Sequence, residues 1–270
     1  MIKMIPDGSP SQRARSFAGH SVKATPDGQQ YWQVDHSQYG AVTEVPMSKM
    51  ALVSAGNLQA SIQLIPSVTH GDKASVDLLE QFRKGLKGEM QARGVKLSVL
   101  AFLVKALAKA LQEMPKFNTS LSADGQTLIQ KHYVHIGIAV DTDYGLVVPV
   151  IRNADQKGIV AIAEEINVLA LAAKAKRLKA EQMGGASMSI TSLGNIGGTY
   201  FTPIVNPPEV AILGVTPMVT EPVWNGTEFL PELRLPLDLS YDHRVINGAD
   251  AARFTRQICK YLTEPQRLMV

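Results

Sequence analysis

The 270-residue sequence predicts a mixed α/β fold, a β-sheet covered by helices. Three observations predict it. Apolar residues recur at helical spacing in several stretches, most clearly over 98–114, where Leu100, Leu103, Val104, Leu107, Ala108 and Leu111 repeat at three and four. β-Branched runs bounded by turn residues stand between those stretches. The helical and strand patterns do not alternate strictly as β-α-β units, which argues against a doubly wound parallel sheet. With 45% hydrophobic and 19% charged residues, the chain has apolar material for one large core or two small ones.

Taken in order, residues 1–40 hold Pro6-Asp7-Gly8-Ser9-Pro10 and Pro26-Asp27-Gly28 with few periodic apolar positions, and read as a linker or N-terminal arm. Residues 41–270 read as the folded domain. A helix is expected over 47–63, stopped by Pro66 before a short strand at Val68-Thr69. A second helix is expected over 76–93, and a third over 98–114, ended by Pro115. Residues 132–140 and 145–151 read as neighbouring strands across the turn cluster Asp141-Thr142-Asp143-Tyr144. A long helix over 159–178 follows, then strands at 187–192, 210–215 and 235–242 joined by Gly- and Pro-rich loops, and a last helix over 249–261.

Charge and cysteine content exclude several functions. Lys+Arg 27 against Asp+Glu 24 gives +3 with no long basic block, too weak and too spread to expect nucleic acid as a partner. The lone Cys259 excludes an internal disulfide and suits a reducing compartment, so the expected home is the cytoplasm. Apolar stretches are broken by Lys105, Lys109, Glu164 and Glu165 before a membrane span is reached, so no membrane is expected. No two of the six histidines have the i, i+4 spacing of a helical zinc pair, and no metal is expected. His243 is set apart by its position. It ends an apolar strand just before a helix, where a side chain projects from a rigid element, and it reads either as a catalytic base or as a structural histidine.

The stretch Asp242-His243-Arg244-Val245-Ile246-Asn247-Gly248-Ala249-Asp250-Ala251-Ala252-Arg253-Phe254 resembles the signature of the dihydrolipoyl acyltransferases, the core components of 2-oxoacid dehydrogenase complexes. A second signature resembles residues 189–198 and 201–214, and the segments 114–120 and 145–151 fit as well. The resemblance runs from about Val45 to the C-terminus. It implies a chloramphenicol acetyltransferase-like mixed sheet, trimers with active sites between subunits, and assembly of the homotrimer into a cubic 24-mer or a 60-mer. It implies coenzyme A as substrate, a lipoyl group supplied by a lipoyl domain outside this segment, and decarboxylase and dihydrolipoyl dehydrogenase components as partners.

By the same resemblance His243 is the base that deprotonates the thiol, Thr191 supplies the oxyanion hydroxyl from a neighbouring subunit, and Asn247 stands where the family usually has an Asp that holds the active-site loop. Its family partner is an Arg, matched here by Lys49; an Asn oxygen can accept from a lysine, but not as a bidentate pair. Arg83 and Lys87 are expected at the coenzyme A phosphates, and Phe201 beside the pantetheine channel. Ser67 replaces a family His and Ala60 a frequently charged residue, so altered packing near the channel is expected. His70-Gly71-Asp72-Lys73-Ala74-Ser75 resembles a lipoyl-lysine hairpin, but the helical pattern that follows at once points instead to a strand-to-helix turn. Leu268-Met269-Val270 is similar to the family's apolar anchor between trimers. Thr191-Ser192-Leu193-Gly194 and Pro222-Val223-Trp224-Asn225-Gly226 look like the members that carry acetyl groups; a branched-chain acyl group, a weakly catalytic structural core subunit and a free-standing small-thiol acetyltransferase stand as alternatives.

Overall fold

A computed structural model describes residues 33–269. Residues 33–46 belong to a unit of their own, in which one turn at His36–Tyr39 is capped by Asp35 accepting from the Ser37 amide. Residues 1–32 of the expected arm lie outside the described residues, as does Val270.

The rest is a seven-stranded mixed sheet with helices. In chain order its elements are α1 (Lys49–Leu64), β1 (Ser67–Ser75), α2 (Asp77–Gly85), α3 (Lys87–Ala92), α4 (Val99–Glu113), β2 (Thr119–Leu121), β3 (Leu128–Gln130), β4 (Ile136–Ile138), β5 (Val150–Ile151), α5 (Ile159–Lys174), β6 (Met188–Ser192), β7 (Ala211–Val215), β8 (Val219–Trp224), β9 (Phe229–Asp242) and α6 (Gly248–Thr263). The strand order is β1-β9-β7-β6-β4-β5, with β8 on the first half of β9; β2 and β3 form a separate hairpin. Only β4-β6 and β6-β7 are parallel.

β9 organises the sheet. Its residues 235–242 are all buried, which a strand achieves only when both faces are covered. On one face lies the main core, where α4 buries nine side chains including Phe102, Leu103, Leu107 and Leu111, and where Phe117 and Phe254 of α6 stack at 3.8 Å. The segment 199–209 lies on the other face: Val205 packs with Ile212 and Ile65, the Phe201 ring lies over Gly214, and Glu209 accepts from the Ser189 hydroxyl at 2.9 Å. A Cβ on Gly214 would stand 2.9 Å from that ring, so the strand tolerates only glycine there without a shift.

Several expectations are corrected. Residues 70–75 are not a turn: β1 continues to Ser75 as the edge strand, paired throughout with β9 from Asp242 to Arg234, and the ladder takes up the backbone groups that face β9. The single helix expected over 76–93 breaks at Gly85 and Leu86 into α2 and α3. Only Ile136–Ile138 of residues 132–140 forms a strand. β8 and the first half of β9 lie where a Gly- and Pro-rich loop was expected; Pro222 and Pro231 both sit in this exposed two-stranded extension, where a missing donor is cheap, and the β2-β3 hairpin lies where no element was expected. At the C-terminus Leu268 is buried in the chain's own core, and Met269 is exposed.

Candidate active site

His243 sits on a turn that the chain holds from every side but one. Asp242, at the end of β9 and almost wholly buried, accepts from the Arg244 amide at 3.0 Å and forms a two-pronged ion pair with its guanidinium, Nη2 to Oδ2 at 2.6 Å. The Asp242 carbonyl also accepts from the amides of Val245 and Ile246, whose side chains are buried. The His243 amide donates to the Pro66 carbonyl at 3.0 Å, which places the Pro66-Ser67 departure directly beside the histidine. The turn is thus fixed while the imidazole remains exposed. Asn247 closes it as the N-cap of α6, its side-chain oxygen accepting from the Asp250 amide at 2.9 Å. Among the described residues no hydrogen bond joins Asn247 to Lys49, which begins α1 as an exposed residue.

Thr191 lies elsewhere. It is half-buried near the end of β6 and pairs with Gly214, which pairs in turn with Asp238 of β9. Two strand spacings separate it from β9, about 10 Å, and His243 is five residues beyond Asp238, about 16 Å further along the strand. Side chains so placed in one chain cannot meet at one reacting atom. Past Thr191 the chain turns at Leu193, whose carbonyl accepts from the amides of Ile196 and Gly197; Gly197 and Gly198 take φ of 148° and 95°, values that favour glycine.

Arg83 and Lys87 stand together, lining an open groove of about 980 Å³ with Lys96, Lys174, Ser192 and Gly194. The volume lies within the range of small-molecule sites. The sequence reading missed Lys96 and Lys174, which flank helices rather than any motif. Glu80 holds Arg83, and the hydrogen bonds and charge of Arg83 lower the Glu80 carboxyl below its ordinary range. Phe201 is separate from this group: its ring packs on Gly214 and its amide donates to Asp238 Oδ2 at 3.3 Å. Lys73, in the lipoyl-like segment, pairs with Glu221 across the sheet. Among the described residues no cluster of three or more His, Cys, Asp or Glu could hold a metal, and no helix is long and apolar enough to cross a membrane.

Comparison with known proteins identifies the framework that carries these residues. The chain is 52% identical over 237 residues to the dihydrolipoyllysine-residue acetyltransferase component of the pyruvate dehydrogenase complex of Azotobacter vinelandii, covering 88% of this chain and 37% of that protein. With its Pseudomonas aeruginosa counterpart it shares 51% identity, covering 88% and 44%. The chain therefore spans less than half the length of these relatives. Among solved structures, the cubic core of a pyruvate dehydrogenase multienzyme complex matches with a TM-score of 0.86 at 52% identity, covering 88% of this chain and 98% of that one. A second, with the same TM-score and coverage at 51% identity, comes from a crystallographic and enzymatic investigation of the roles of a serine, a histidine and an asparagine in the catalytic mechanism of Azotobacter vinelandii dihydrolipoamide acetyltransferase. The sequence model of the 2-oxoacid dehydrogenases acyltransferase (catalytic domain) matches residues 39–270, and the chain belongs to that family.

Proposed function

We propose that this chain is the catalytic domain of an acetyltransferase that moves an acetyl group between the dihydrolipoyl group of a lipoyl domain and coenzyme A, in the core of a cytoplasmic pyruvate dehydrogenase complex. One observation carries the assignment of residues. The serine, histidine and asparagine investigated in the Azotobacter protein are separated by 52 and 4 residues, the separations of Thr191, His243 and Asn247 here.

The chemistry follows from thiol acidity. A thiol near pKa 8.5 is mostly protonated at pH 7, whereas the thiolate is the nucleophile. His243, exposed on its fixed turn, takes the proton of the coenzyme A thiol as sulfur attacks the thioester carbonyl of the acetylated dihydrolipoyl group. The Thr191 hydroxyl of a neighbouring chain donates to the oxyanion as charge develops. Collapse expels the dihydrolipoyl sulfur, which receives the proton from the His243 imidazolium; the reverse reaction exchanges the two thiols. Asn247 acts through the turn by capping α6. Arg83 and Lys87 offer cations to the phosphates of coenzyme A. The separation of Thr191 and His243 within one chain supports a site completed between copies, hence a trimer, and a larger cubic assembly is part of the proposal.

The test is the rate of acetyl transfer from acetyl-coenzyme A to dihydrolipoamide, with isovaleryl-coenzyme A as competitor. The expected result is an active wild type that prefers acetyl and a His243→Ala variant slower by at least ~100-fold, the lower range for loss of a positioned base. An inactive wild type that sediments as a large assembly would replace the enzyme by a structural core subunit.

A further inference from the structure

Arg83 reaches the groove with most of its donors already committed. Its Nε donates to Glu80 Oε1 at 2.7 Å, Nη2 to Glu80 Oε2 at 2.9 Å, and Nη1 to the Leu97 carbonyl at 3.3 Å. A guanidinium has five N–H groups in a rigid plane. Two are left, one on each terminal nitrogen, and a guanidinium can present such a pair to two oxygens of a phosphate. Glu80 itself is 5% exposed, a burial that a carboxylate tolerates only when paired. Of its two cationic neighbours, Lys84 is the weaker, at 3.9 Å from an exposed position, and Arg83 is the one in the groove. Lys87, Lys96 and Lys174 line the same groove, and among the described residues no carboxylate holds them.

We propose that Glu80 is a positioning residue for the phosphate end of coenzyme A: it clamps one edge of Arg83 so that the opposite edge stays open for the ribose 3′-phosphate. The proposal rests on the acetyltransferase reading and adds to it a source of selectivity for the phosphate monoester. An unclamped arginine must give up rotamer freedom when it binds; a clamped one has given it up on folding. The clamp has an opposing effect, because the Glu80 charge offsets part of the attraction between Arg83 and an anion. Geometry and net charge therefore predict opposite outcomes for Glu80→Gln, which keeps the side-chain volume and removes the charge. If geometry dominates, coenzyme A binds more weakly; if net charge dominates, it binds more tightly.

The experiment compares coenzyme A with 3′-dephospho-coenzyme A as acetyl acceptors on the assembled protein, for the wild type, Glu80→Gln, Arg83→Ala and the double variant, with calorimetric binding of both ligands to the same samples. For the wild type, KM and Kd should be about 10-fold lower for coenzyme A, the scale of one charge-assisted bidentate contact. Glu80→Gln should raise the coenzyme A values about 5-fold, with the dephospho values and kcat within about 2-fold, because only one edge contact is loosened. Arg83→Ala should abolish the discrimination, and adding Glu80→Gln to it should change nothing further. A Glu80→Gln variant that weakens both ligands equally would make Glu80 merely structural, and one that binds coenzyme A as tightly as wild type or tighter would overturn the clamp. Discrimination that survives Arg83→Ala would overturn it as well. Absence of transfer by the wild type would overturn the acetyltransferase reading alone, since the calorimetric ratios would still decide the clamp.

Discussion

The two halves of the candidate site are built differently. The His243 half is completed by its own chain: β9 is paired on both sides, Asp242 is tied to Arg244, Val245 and Ile246 are buried, and Asn247 caps α6. The Thr191 half sits near the end of a strand beside a glycine turn, two strands across from β9 and displaced along the strand direction from the histidine. One half is rigid and exposed, and the other is half-buried with no reacting partner within reach in the same chain. The difference teaches that folding finishes the two motifs separately and leaves them apart in one chain, as the proposed site between copies requires.

The sharpest way to break this comparison is on the weaker half. Thr191→Ala should lower kcat by about 100- to 1,000-fold, the cost of one oxyanion donor, while Thr191→Ser should retain most of it; steady-state acetyl transfer measures both. Mixing is the next test. If the halves come from different copies, randomly reassembled trimers of Thr191→Ala and His243→Ala should regain about a quarter of wild-type activity, the chance of pairing two intact halves. No recovery above the parent variants would place both halves of a working site in one chain.

A third prediction concerns the 199–209 face beside Thr191. Glu209 is almost wholly buried, and desolvation pushes its carboxyl up to about 7, against hydrogen bonds from Ser189 and Asn206 and the attraction of Lys131. Burial lowers the Lys131 ammonium in turn, with Glu209 opposing the shift. Between about pH 4.5 and 7 the folded protein holds a proton that the unfolded chain has released, so this group's contribution to stability falls as pH rises through that window and is level above it. Glu209→Gln should remove that decline, gaining at most about 3 kcal/mol relative to wild type at pH 8 compared with pH 4; urea melts at the two pH values measure it. The smallest effect is expected on the well-braced half. Asn247→Ala should cost about 1 kcal/mol as a lost helix cap, and Asn247→Asp almost nothing; thermal melts and transfer rates together separate the cap from the chemistry.

Legibility followed the range of the interactions. Helix α4 was readable because Leu103, Val104, Leu107 and Leu111 repeat at helical spacing, although the helix is buried nearly all round, Phe102 included. The continuation of β1 through Gly71-Asp72-Lys73 was not, since its stability comes from a partner strand more than 160 residues away. β8 lay within a stretch read as a Gly- and Pro-rich loop; it holds Pro222, which an outlying strand accepts and a central one would not. His243, Thr191 and Asn247 were found through the resemblance of their surrounding signatures, whereas Lys96 and Lys174 carry no local pattern and join Arg83 only through the packing of α2, α4 and α5 around the groove.

By itself the sequence determined the mixed α/β class, the family and the residues proposed to carry the chemistry, because periodicity and short signatures are local properties of a chain. Only the tertiary structure decided that Thr191 and His243 stand apart, that Asn247 spends its oxygen on a helix cap, that Leu268 is core, and that Arg83 keeps two uncommitted N–H groups. These are matters of distance and of donors already used, and both are set by long-range pairing that no neighbouring residue encodes.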